Sequence, residues 1–171
     1  MASKLPPVAG LHDDAAQRYF RPFMSYSFRL AEASDAIACA QIILDWGEET
    51  PWMTTMDDSE PMAAFWRDMF TTSSAWVALK NQSVVGFCVR KDDNISALYV
   101  ASTARHAGVG KKLLDLAKKD REWITVWAYE RNTEARKFYR REGCVEISRE
   151  TEHYEDGVSL VDVEHRWTRS T

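Results

Sequence analysis

From Tyr26 onward the sequence switches repeatedly between a hydrophobic period of two and one near 3.6, which restricts the chain to folds in which helices cover a sheet. A strand signal opens the series at residues 26–30. Ser34 can then cap a helix over 35–46, with Ile37, Ala40, Ile43 and Leu44 on one stripe. After a loop at 47–52, Ser59 before Glu60-Pro61 reads as the cap of a second helix to about residue 70. Three strand runs follow at 75–80, 84–91 and 95–100, the first two joined by a tight turn at Asn81-Gln82. Next come a helix at 109–119, a strand at 123–128 and a helix at 133–142 that Gly143 stops. Two last strands, 145–151 and 159–166, flank the turn signal Asp156-Gly157. The order β-α-α-β-β-β-α-β-α-β-β predicts a mixed α/β sheet of seven strands with four helices on both faces.

Composition matters here mainly for what it excludes. The chain has 171 residues, 45% hydrophobic and 12% aromatic with seven tryptophans, enough to fill a core and inconsistent with global disorder. No apolar run approaches the ~18 residues that a bilayer span needs, so no membrane association is expected. Residues 1–10 lack the charged-then-apolar pattern of a signal peptide, which predicts a cytoplasmic protein. With 22 Lys+Arg against 26 Asp+Glu, the net charge of −4 argues against nucleic-acid binding while allowing local basic patches. Cys39, Cys88 and Cys144 are widely spaced with no C-x-x-C, which suits buried reduced thiols and no metal site. Pro6-Pro7, Gly10, Asp13-Asp14 and Arg21-Pro22 break any long pattern at the start. Residues 1–24 are therefore expected to be a mobile N-terminal extension of a domain spanning 25–171.

The segment Arg105-His106-Ala107-Gly108-Val109-Gly110-Lys111-Lys112 lies between a strand and a helix. Glycines let its backbone approach a ligand, and the helix start offers unpaired N–H groups and a positive dipole end, a seat for phosphate. It is not a Walker A loop, because Arg105 stands where the first glycine belongs and Lys112 where Ser or Thr belongs. The dinucleotide fingerprint fails as well, since only two glycines are present. A second pattern follows at 132–144, where Ala135, Phe138 and Tyr139 share one helix face.

Together these two segments resemble the GCN5-related N-acetyltransferase (GNAT) superfamily. Arg105-x-x-Gly108-x-Gly110 is similar to its pyrophosphate motif Q/R-x-x-G-x-G/A, and Asn132, Ala135, Phe138-Tyr139 and Gly143 are similar to its second signature. The element order matches over about residues 26–168. The resemblance implies a mixed, mostly antiparallel twisted sheet splayed between the fourth and fifth strands. It also implies acetyl-CoA as acetyl donor, with the pyrophosphate on the backbone from Arg105 through His106, Ala107, Gly108, Val109 and Gly110 to Lys111. The thioester carbonyl would meet a main-chain N–H of the strand at Leu98, Tyr99 or Val100. Asn132 would contact the pantetheine arm or cap the helix, and Phe138 would line the same site. Tyr139 stands at the position of the general acid; a phenol of pKa about 10 can protonate a thiolate of about 8.5.

The general base departs from the pattern of the resemblance. Some relatives carry a glutamate where this chain has Asn94, and others where it has Trp127. Glu49, Asp93, Glu130, His153 and a water relay remain open. On the acceptor side, Glu49 and Trp52 in the loop after the first helix, with Trp127 and Tyr129 opposite, would seat a cationic amine by charge and cation–π contact. The expected activity is acetyl transfer to a primary amine of a small molecule. A protein amino terminus or lysine is the alternative acceptor, and a non-catalytic CoA-binding module is the alternative class. A homodimer built on the final strands or the N-terminal arm is compatible with the sequence.

Overall fold

The computed structural model describes residues 25–53, 58–154 and 157–170. The N-terminal extension, Asp57 and the first residue of the Asp156-Gly157 turn fall outside the described residues. The elements run β1 (Ser27–Leu30), α1 (Ala36–Glu48), α2 (Ser59–Thr72), β2 (Ser74–Lys80), β3 (Ser83–Lys91), β4 (Asn94–Val100), α3 (Val109–Lys118), β5 (Trp123–Tyr129), α4 (Thr133–Arg141), β6 (Val145–His153) and β7 (Ser159–Thr168). This is the order expected from the alternating periods, with boundaries moved by at most two residues. Among the described residues no helix is long and apolar enough to cross a membrane.

Two helix starts differ from expectation. A 3-10 turn at Ala33–Asp35 precedes α1, and Ser34 does not cap it. The Asp35 carboxylate instead accepts from the Glu32 N–H at 2.8 Å and is gripped by both terminal nitrogens of Arg29 at 2.7 and 2.9 Å. The N-cap of α2 is Asp58, with Ser59 already in the first turn.

All seven strands form one sheet in the order β1-β2-β3-β4-β5-β7-β6. Every pairing is antiparallel except β4 with β5. That parallel pair is matched only at Asn94↔Thr125 and Ile95↔Val126, after which the strands part. The sheet is thus mixed and open, splayed between its fourth and fifth strands as expected.

Helices α1 and α2 cover one face, where Cys39, Ala40, Ile43, Ala63 and Trp66 pack on Val77, Phe87, Val89 and Ala97. Helices α3 and α4 cover the other, where Val109, Leu113, Leu114 and Tyr139 pack with Cys88, Ile95, Ile124 and Val126. Burial of these side chains is the main stabilising contribution, at ~1.5–3 kcal/mol for each large apolar group.

One irregularity positions the site. In the β3–β4 register, Val89 pairs with Ala97 but Arg90 pairs with Ile95, leaving Ser96 as an extra residue in β4. A bulge of this kind inverts the alternation beyond it. Ile95 therefore packs toward α3, yet Ala97 two residues later packs toward α1 and α2. Beyond the bulge Leu98 and Val100 return to the α3 face and Tyr99 takes the α1 face.

Candidate active site

Where β4 and β5 separate, a cavity of about 870 Å³ opens. Leu98, Tyr99 and Val100 form one wall and Trp127, Ala128 and Tyr129 the other; Arg105, His106, Gly108, Gly110 and Lys111 line one end, with Asn132, Phe138 and Tyr139 from α4. The loop and the α4 signature, remote in sequence, thus share one space.

The loop's backbone suits an anion. His106 and Gly108 both take positive φ, +59° and +81°, turning the chain tightly into α3. As the first residues of α3, Val109, Gly110 and Lys111 present N–H groups with no acceptor inside the helix. A Cβ at Gly108 would meet nothing within 4 Å, so the loop is open on the side a ligand must approach. Ala107 and Val109 do not line the cavity; the Val109 side chain is buried in the core, leaving only its main chain for a ligand. Arg105 Nε donates to the Val100 carbonyl at 3.1 Å, tying the loop to the end of β4, while its Nη1 pairs with Glu49 at 2.9 Å. Lys111 pairs with Asp115 at 2.9 Å and reaches Glu142 at 3.5 Å. These donors could hold a pyrophosphate, and the gap between β4 and β5 continues from them as a slot.

Asn132 is the N-cap of α4; its side-chain oxygen accepts from the Ala135 N–H at 3.1 Å. Tyr139 is 5% exposed and lines the cavity, with its ring 5.3 Å from that of Phe138 and 5.6 Å from His165. Burial pushes its phenol well above the ordinary tyrosine value, so it stays protonated at any working pH.

On the acceptor side the four rings Trp46, Trp52, Tyr99 and Tyr129 form a connected set. Trp46 meets Trp52 at 6.0 Å and Tyr99 at 5.6 Å, and Trp52 meets Tyr129 at 5.8 Å, all edge-on. Burial raises the Tyr99 phenol to about 12. Of the expected acceptor residues, Trp127 and Tyr129 line the cavity. Trp52 and Glu49 do not; they stand behind Tyr129 and Arg105 and hold them.

The groups weighed as general base are engaged elsewhere. Glu49 pairs with Arg105, Asp93 with Arg121 at 3.4 Å, Glu130 with Arg149, and His153 Nδ1 lies 2.7 Å from the Ser159 hydroxyl. None of them lines the cavity. The carboxylates that do so on the acceptor side are Glu150, Glu152 and Asp162, none of which the sequence singled out. Asp162 is set between Val161 and Val163, and an acid inside an apolar strand run was the available signal. Burial, with Glu152 and Glu150 adding repulsion, raises its carboxyl to about 6. Tyr129 and Tyr154 share a hydrogen bond of 2.7 Å, and the Tyr154 hydroxyl donates to Glu152 at 2.7 Å.

No curated protein sequence matches this chain. A family model described as an acetyltransferase (GNAT) domain matches residues 71–146, from the end of α2 into β6. Among solved structures, YjaB from Escherichia coli is 20% identical over 86% of this chain and 100% of its own, with a TM-score of 0.69. A ribosomal-protein-alanine N-acetyltransferase from Brucella melitensis is 21% identical over 84% of this chain and 99% of its own, at 0.67. Salmonella typhimurium yncA, solved with its cofactor acetyl-CoA, is 17% identical over 84% of this chain and 93% of its own, at 0.65. Residues 71–146 are thus similar to an acetyltransferase (GNAT) domain, and the chain shares the fold of these solved structures.

Proposed function

We propose that the protein transfers an acetyl group from acetyl-CoA to a primary amine of a small molecule, with Tyr139 as general acid. The observation that carries this reading is that the anion-binding loop, the parted strands, Tyr139 and an aromatic wall line one cavity. The ring contacts of Trp46 and Trp52 bring the end of α1 against β4 and the segment after it against β5. That narrows the acceptor side where a protein substrate would require an open groove. The Brucella relative is by name an enzyme of a ribosomal protein, so peptides belong in the acceptor panel as the competing reading.

When bound, acetyl-CoA supplies an activated acetyl group whose C–S bond breaks as the acceptor nitrogen bonds to its carbonyl carbon. The chain's own residues do the rest. N–H groups at the start of α3 hold the phosphates in place, with the positive helix end as a fixed charge. The main chain of Leu98 to Val100, released from pairing with β5, offers an N–H to the carbonyl oxygen as it gains charge. Tyr139 supplies a proton to the departing sulfur and regains one from the amine nitrogen through solvent, so the net reaction releases a single proton from the starting ammonium.

Titration of the protein with acetyl-CoA by calorimetry tests the donor site, with Gly108→Trp as control. Micromolar binding that the tryptophan abolishes is expected, and no binding to the wild type would overturn the reading. Tyr139→Phe should lower kcat by roughly 10²-fold, a usual general-acid contribution, with acetyl-CoA affinity nearly unchanged. Unchanged kcat would remove Tyr139 from the chemistry.

A further inference from the structure

Beyond the donor site, the acceptor end of the cavity has a chemical character of its own. Asp162 on β7 faces Tyr129 across one strand pairing and Glu150 across the other. Glu152 follows Glu150 on the same face of β6, since side chains two apart on a strand point the same way. All three carboxylates line the cavity. Among the described residues none of them has a Lys, Arg or His within ion-pair distance. Glu152 accepts from the Tyr154 hydroxyl, and among the described residues Asp162 accepts only from the Val163 N–H at 3.1 Å. The nearby Arg149 is committed to Glu130 and Glu146. The three carboxylates, Glu150 and Glu152 exposed and Asp162 half-buried, repel one another at the cavity, and burial of Asp162 adds to the cost. A cationic occupant removes that cost.

Resting on the acetyltransferase reading above, we infer that the acceptor is an aliphatic diamine or polyamine, its ammonium groups held by Asp162, Glu150 and Glu152 and its methylene chain against Trp46, Tyr99 and Tyr129. The spacing agrees with this. Residues two apart on a strand lie ~6.7 Å from each other. Two nitrogens joined by three or four methylenes span about 5–6 Å, given bonds of ~1.5 Å. The ring faces add cation–π attraction, which favours an alkylammonium over a neutral amine. A monoamine leaves at least one carboxylate pair without a counter-charge, so the site selects for the second nitrogen.

The experiment uses the full-length protein and separates this inference from the reading beneath it. Acetyl-CoA binding is measured first; its absence would overturn the acetyltransferase reading and, with it, the idea of an acceptor site. The protein is then saturated with CoA and titrated with spermidine, 1,4-diaminobutane and n-butylamine. Both polyvalent amines are expected to bind at least tenfold more tightly than n-butylamine. Asp162→Asn and the pair Glu150→Gln with Glu152→Gln should each weaken spermidine binding by tenfold or more while leaving acetyl-CoA affinity within twofold. All three substitutions keep side-chain shape, and the unaltered acetyl-CoA affinity reports that the variants are folded. Absence of spermidine binding to a CoA-competent protein, equal binding of n-butylamine, or indifference to the carboxylate substitutions would each overturn the proposal.

Discussion

Asp162→Asn should make the protein more stable at neutral pH, an unusual outcome for a substitution inside a strand. The folded-state carboxyl is raised to about 6 from an ordinary value of 3.8 by burial, with Glu152 and Glu150 adding repulsion. A group raised on folding binds its proton more tightly in the folded chain. Its stabilising contribution is complete below about pH 4 and is lost as pH rises through about 6. At pH 7.5 the wild type therefore holds an ionised carboxylate in an unfavourable place, and asparagine does not. Two pKa units correspond to ~3 kcal/mol at 1.36 kcal/mol each. Water reaches the side chain from the cavity, so the realised gain is discounted to about 1–2 kcal/mol. For a chain of this length that is a Tm rise of about 3–6 °C. The asparagine oxygen keeps the acceptor that the Val163 N–H needs, so no backbone bond is lost.

The assay is thermal unfolding of wild type and variant at pH 7.5 and pH 4.5, without ligand. A gain at pH 7.5 that falls to about a third of its size at pH 4.5 is expected. An equal or lower Tm at pH 7.5, or a gain of the same size at both pH values, would refute the argument, because only titration of this group links the two conditions. The titratable groups that share its surroundings are Glu150 and Glu152 on β6, Tyr129 on β5, Tyr99 on β4 and Tyr154 beyond β6. The three tyrosines are neutral across this window: burial raises the phenols of Tyr99, Tyr129 and Tyr154.

Three further substitutions probe the donor end. A Cβ at Gly86 would stand 3.0 Å from the Tyr99 carbonyl oxygen and 3.4 Å from Val100, so Gly86→Ala should cost ~1–3 kcal/mol and weaken acetyl-CoA binding several-fold by displacing β4; unfolding by denaturant and calorimetry measure both. Gly108→Ala meets no atom within 4 Å but keeps a φ of +81°, so its cost of ~1 kcal/mol is backbone strain alone, and denaturant unfolding should show it without a change in core packing. Glu49→Gln frees the Arg105 guanidinium for phosphate. Since a half-exposed ion pair is worth ~0–1 kcal/mol, acetyl-CoA affinity should rise by no more than about fivefold, and a fall would mean that Glu49 orients Arg105 productively.

The elements were legible in the sequence because each carries its period over seven or more residues, apart from the short β1, and because Asn81-Gln82 and Gly143 punctuate them. Both residues of the first turn take positive φ, 50° and 67°, and Gly143 sits at +87°. The donor site was legible for a related reason: a backbone that must turn sharply and expose N–H groups requires glycine at fixed places. The acceptor site offers no such local signal. Glu150 and Glu152 sit in a strand that reads as a solvated edge, and only the register of β6 on β7 and of β7 on β5 brings them beside Asp162 and Tyr129. The bulge at Ser96 was equally hidden, since a single extra residue in a run of alternating side chains leaves the hydrophobic count unchanged. Glu49 misled for the opposite reason. It looked like a free acid beside tryptophans, yet in the fold its nearest cation is the Arg105 of the phosphate loop.

The two ends of the cavity differ in charge. At the loop end each Lys or Arg that lines the cavity has a carboxylate: Arg105 with Glu49, Lys111 with Asp115, Lys137 with Glu134, Arg141 with Glu142. Those pairs are largely exposed, so each costs little to exchange for a phosphate, and the uncompensated positive charge there is the fixed dipole of α3. At the β6–β7 end the reverse holds: Glu150, Glu152 and Asp162 line the cavity, and among the described residues none of them forms an ion pair. A chain whose net charge is only −4 thus concentrates negative charge at the end of the cavity proposed for the acceptor. On the acetyltransferase reading proposed above, an acceptor ammonium would have to lose a proton before attack, and a carboxylate raised to about 6 by burial would be better matched to receive it than one near 4. If the proposed reaction holds, the burial that destabilises the fold at Asp162 would serve it, and Asp162→Asn is expected to raise Tm and lower turnover together.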